Sequence, residues 1–128
     1  MIEEEKYMEH IHSIILIKKG DKYLNYFDER WKMYLFPNIK GNNIEDIKKK
    51  YNTNNVKFLF DKVHTKYSVP HEEYRTYHHY FYEVNEDAEG EYFSLNELLK
   101  NEKIKENNGD IIKFIDEFYS KTENFRNN

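Results

Sequence analysis

The sequence contains no cysteine. Disulfides, thiol nucleophiles and cysteine-ligated zinc are therefore excluded. It also lacks a long apolar run. The longest aliphatic stretch, residues 14–17 (IILI), falls far short of the roughly 18 residues that a membrane-spanning helix needs. The start is acidic at Glu3, Glu4 and Glu5 and carries no secretory signal, which together with the missing cysteines predicts a cytoplasmic protein. Basic charge is not in excess. With 20 basic and 24 acidic residues, a net charge of -4, the chain has no overall field to hold duplex nucleic acid. Arginine is scarce, with only Arg30, Arg75 and Arg126. With 2 prolines and 4 glycines, no flexible linker divides the chain, and no internal repeat is visible. A single domain spanning 1–128 is expected, with loose ends at 1–9 and 123–128.

What is abundant is aromatic and charged. Aromatics make up 17% of residues and charged residues 34%, a composition that folds and stays hydrated. Residues 10–17 read as a β-branched strand. The Gly20 turn returns the chain through a second strand at 22–27. A tight apolar segment from Trp31 ends in Phe36-Pro37, and a polar turn is expected at 38–43. Asn43 then caps a short helix with Ile44, Ile47 and Tyr51 on one stripe. Strands are predicted at 56–64 and 76–84. The 67–74 stretch between them is read as a loop, because Pro70 cannot donate to a sheet. Ser94 and Glu97 form a capping box for a helix running to about residue 101. Asn107-Asn108-Gly109 is expected to break the chain, and Asp110 to cap a last helix.

This order resembles the Nudix fold: a hairpin, a Trp with an apolar-Pro turn, a helix, two strands, then YFSLNELL (92–99) and a terminal helix. The resemblance runs from about residue 12 to 118. It implies an α+β domain, a Nudix-like α/β/α sandwich around a mixed, mostly antiparallel sheet. Nudix chemistry rests on G-x5-E-x7-R-E-U-x-E-E-x-G-U, whose helical glutamates hold Mg²⁺ or Mn²⁺. The best register keeps only Glu45. Thr53 and Asn54 replace the Arg-Glu, Lys57 and Phe58 replace the metal-binding pair, and Phe60 replaces the last Gly. Where that helix should offer carboxylates, this one carries Lys48, Lys49 and Lys50.

In this departure the chain resembles the SMODS-associated NUDIX domain of bacterial anti-phage operons. The likeness lies in 31–37, the shortened helix and the Tyr-rich strand around 79–82. It implies a catalytically inactive module that senses a nucleotide signal such as a cyclic oligonucleotide. It also implies a membrane-spanning tether in a longer natural protein. A homo-oligomer is left open. No cofactor or metal is expected.

The candidate ligand-binding residues are Trp31, Lys40, Lys48, Lys49, Arg75, Tyr77 and His79. The lysines and Arg75 would meet phosphates. Strand alternation puts Tyr77, His79 and Phe81 on one face and His78, Tyr80 and Tyr82 on the other. The first set could stack a base. The blander readings are a solvated lysine face, tyrosines filling a sheet, and Arg75 paired with Glu72 or Glu73. His10, His12 and His64, with His78 or His79, have no metal-ligand spacing. Glu72, Glu73 and Glu83 could rebuild an acid pair, with a charged loop as the plainer alternative. A hydrolase of nucleoside diphosphate-linked substrates with relocated acids, or a protein-interaction domain, are the competing functions.

Overall fold

A computed structural model of the protein describes residues 10–68 and 71–127, with side chains through residue 122. The elements run β1 (Ile11–Leu16), β2 (Lys18–Lys19), β3 (Lys22–Asp28), β4 (Met33–Leu35), β5 (Asn38–Lys40), α1 (Ile44–Tyr51), β6 (Val56–Ser68), β7 (Glu73–Val84), β8 (Glu91–Ser94), α2 (Leu95–Leu99) and α3 (Glu102–Asn127). This is the expected α+β class, with a mixed sheet and three helices among the described residues. The chain forms two compact units. The first runs up to Ile17 and then from Phe36–Glu89; the second takes Lys18–Leu35 and the chain from Gly90 on.

The first unit is a four-stranded sheet in the order β5-β1-β7-β6. β1 runs parallel to β7 and antiparallel to β5, and β6 pairs antiparallel with β7. A strand flanked on both sides has two faces to bury, and β1 answers with Ser13, Ile14, Ile15 and Leu16, all 4% exposed or less. Residues 38–40, expected within a turn, are instead the edge strand β5, registered from Ile14↔Asn38 to His12↔Lys40. Backbone satisfaction explains this: β1 would otherwise leave one row of peptide groups unpaired. The pairing starts upstream, where the Ile15 amide donates to the Pro37 carbonyl at 2.9 Å.

The α1 helix follows the predicted bounds. Asn43 caps it by accepting from the Glu45 amide at 2.9 Å, and Ile47 is fully buried. Asn52 ends it in the left-handed conformation, φ 50, with its amide turned back onto the last carbonyls. That conformation suits Asn.

The β6–β7 hairpin is longer than predicted. Residues 67, 68, 73 and 74 are paired strand, not loop. Cross-strand side chains carry the ladder outward: Thr65 and Thr76 share a 2.8 Å hydrogen bond, and the Tyr67 and Tyr74 rings meet edge-on at 5.2 Å. Each such pair contributes a few tenths of a kcal/mol to about 1 kcal/mol. Pro70, on which the loop reading turned, lies outside the described residues.

In the second unit β3 pairs antiparallel with β2, β4 and β8. Gly20 takes the positive φ (63) that its turn requires. Ser94 and Glu97 form the capping box of α2, which ends at Leu99. The expected break at 107–109 is absent, and α3 runs unbroken from 102 to 127, through the stretch expected to fray. Its cap is Asn101, not Asp110: the Asn101 side chain accepts from the Ile104 amide at 3.1 Å. Ile104, Ile111, Ile112 and Ile115 then lie buried along one stripe. A glycine within a helix costs about 1 kcal/mol, less than burying even one of these isoleucines returns, about 1.5–3 kcal/mol. Residues 1–9, expected to be loose, lie outside the described residues.

Candidate functional site

The parallel β1–β7 pair sets His12 beside His79, and the antiparallel β5–β1 pair sets Lys40 beside His12. Register partners share a face. Lys40, His12 and His79 therefore line up across three strands. Alternation along β7 adds Arg75 and Tyr77 to that face. Across to β6, Tyr77 faces His64 and Arg75 faces Lys66.

Side-chain geometry ties these residues into one group. The Tyr77 and His79 rings stack, 5.7 Å apart and 5° from parallel. His64 Nε2 and His79 Nδ1 are hydrogen-bonded at 2.8 Å. The His12 ring lies 6.1 Å from His79, and His10 lies 5.3 Å from Tyr77. The Lys66 ammonium sits 5.6 Å from the Tyr77 ring. His79 is almost fully enclosed, whereas His12, His64 and Tyr77 are half-buried and Lys40 is exposed. Burial, then the charges of His10 and Lys40, hold the His12 ring below the usual histidine range. The ring is thus biased toward its neutral form, by burial first and by its basic neighbours second.

Acids on this face sit beside bases. Glu73 accepts from Arg75 Nε at 2.9 Å, the plainer of the two readings of Arg75. Glu83 lies in register with Lys57. Glu72 occupies the turn between β6 and β7 with φ 49. Among the described residues no group of three or more His, Asp or Glu is placed to hold a metal. His78 points to the other face, where Asp61 accepts from it at 2.7 Å.

Of the predicted site residues, Lys40, Arg75, Tyr77 and His79 come together here. Lys48 and Lys49 do not join them. The turn feeding α1 is tied to the opposite face, where Ser13 Oγ donates to the Gly41 carbonyl at 2.8 Å and Tyr82 Oη donates to Asn42. Lys48 is also drawn to Glu45, at 3.5 Å. Trp31 belongs to the second unit, on the turn before β4, where it is 37% exposed. Lys57, Phe58 and Phe60, which fill the metal-motif positions, are strand residues of β6 rather than helix residues.

His12, His64 and Lys66 join this cluster without being among the residues expected at the site. The alternation of His10 and His12 was the available signal. What was missing was the parallel register that sets β1 against β7.

No family model matches the sequence, and no curated protein matches it. Among solved structures, the chain is similar to an Ap4A hydrolase of C. elegans, with 11% identity over 70% of this chain and 83% of that chain and a TM-score of 0.46. It is also similar to the DNA mismatch repair protein MutT (family Nudix hydrolase) from methicillin-resistant Staphylococcus aureus 252, with 14% identity over 74% of this chain and 85% of that chain and a TM-score of 0.48.

Proposed function

We propose that this chain is a Nudix-like domain that has lost diphosphate hydrolysis and binds a nucleotide signal, a cyclic oligonucleotide, as the sensor of an anti-phage effector. The observation that carries the reading is the single sheet face gathering Lys40, His12 and Lys66 around the stacked Tyr77–His79 pair. Basic groups answer phosphates, and the half-buried Tyr77 ring, backed by His79, answers a base, a contact worth about 1–3 kcal/mol per base. The loss of hydrolysis is supported by α1, whose only acids are Glu45 and Asp46 in its first turn. Carboxylates clustered on one helix face are what a catalytic Mg²⁺ would require.

Calorimetry with cyclic di- and trinucleotides tests the reading. Binding is expected at or below about 0.1 mM, where even weak specific ligands of roughly −5 to −6 kcal/mol register. Lys49→Glu in the same titration measures whether the α1 lysines share in the contact. If no cyclic nucleotide binds, the sensor reading fails and a protein-interaction role replaces it.

A further inference from the structure

The histidines of this face do more than add charge. A hydrogen bond between His64 Nε2 and His79 Nδ1 needs a proton on one nitrogen and a lone pair on the other. His12 stands beside this pair and opposite Lys40. His12 is thus flanked by a hydrogen-bonded imidazole pair on one side and a fixed cation on the other.

We propose that His12, Lys40 and the His64–His79 pair form a phosphate subsite that takes up a proton with its ligand, so that anion binding and protonation drive each other. The proposal rests on the nucleotide reading above and adds to it a phosphate position and a pH dependence. The charged and titratable groups facing the site are His10 and His12 from β1 and the turn before it, and Lys40 from β5. From β6 come Lys57, Lys62, His64 and Lys66, and from β7 Glu73, Arg75, Tyr77, His79 and Glu83, the last in register with Lys57. Arg75 and Glu73 neutralise each other, so bases dominate around His12. Burial, then His10 and Lys40, depress its protonation in the free protein. A phosphate between His12 and Lys40 replaces repulsion with attraction and raises the proton affinity of the ring. By linkage, the anion then binds more tightly as pH falls through the bound-state pKa. The gain levels off below the free-state pKa and vanishes above both.

Sulfate is the probe, because it stays dianionic across this range and any pH dependence belongs to the protein. Histidine ring resonances are followed through a pH titration in sulfate and in chloride at matched ionic strength. The His12 midpoint is expected to rise in sulfate alone, and sulfate is expected to bind roughly tenfold tighter for each unit of that rise. Lys40→Gln, at an exposed edge position, should raise the His12 midpoint in chloride while weakening sulfate. A merely misfolded variant would not produce that pair of opposite effects. An unchanged His12 midpoint in sulfate, or equal sulfate binding at about pH 6 and pH 8, overturns the subsite. Cyclic nucleotide binding without proton uptake also overturns it while leaving the nucleotide reading intact. Sulfate-linked protonation with no nucleotide binding does the reverse.

Discussion

Single side chains decide two measurable properties. His12 has its protonation depressed by burial, then by His10 and Lys40. In the unfolded chain these neighbours are gone, so the unfolded state binds the proton more readily. The His12 contribution to stability is therefore intact above the ordinary histidine pKa of about 6.5. It is lost as pH falls from there toward the lower folded value. Urea midpoints should fall across that window, and His12→Gln should flatten the fall. Ile47, fully enclosed in the first unit, sets the second property: Ile47→Ala should cost about 2–5 kcal/mol of unfolding free energy. The residues that the sequence made legible act locally. Gly20 at its turn, Asn43 and Ser94 at their helix starts, and the alternation of 77, 79 and 81 all follow from near-neighbour chemistry. The meeting of His12 and His64 with His79 was not legible, because it depends on strand register, which no local spacing encodes.

At the scale of elements, two glycines make opposite predictions. Gly109 lies within α3, and a Cβ there would meet only Lys105 Cγ at 3.9 Å. Gly109→Ala should therefore stabilise the protein by about 0.5–1 kcal/mol, the ordinary helix preference. Gly90 enters β8 at φ +153, and a Cβ there would lie 2.5 Å from Leu24 Cδ1. Leu24 is fully buried, so Gly90→Ala should lower the melting midpoint clearly. The Asn107-Asn108-Gly109 run reads as a break because each of its residues is a poor helix former. The isoleucines on either side, packed along one stripe, override that local preference. The same conflict extended β6 and β7 past their predicted ends, where tyrosine and threonine pairs outweigh a loop-forming composition.

For the whole molecule, a net charge of -4 means that attraction for an anionic ligand must be local, held on one face of one sheet. Such attraction is screened by salt over about 8–10 Å. Lys40→Glu should accordingly weaken nucleotide binding most at low ionic strength, whereas Tyr77→Ala should cost about the same at low and high salt. Release of phosphate or mononucleotide from nucleoside diphosphate derivatives should stay at background with Mg²⁺ or Mn²⁺ present, and an activity abolished by EDTA would contradict that. The most direct measurement is an NMR titration of the protein with a cyclic dinucleotide, following backbone amides and histidine rings together. Saturable shifts concentrated at His12, Lys40, Tyr77 and His79, with α1 and the Asp61–His78 face little changed, are the predicted result. Shifts that cluster instead on the opposite face, or none at millimolar ligand, would contradict the assignment of this face as the binding site.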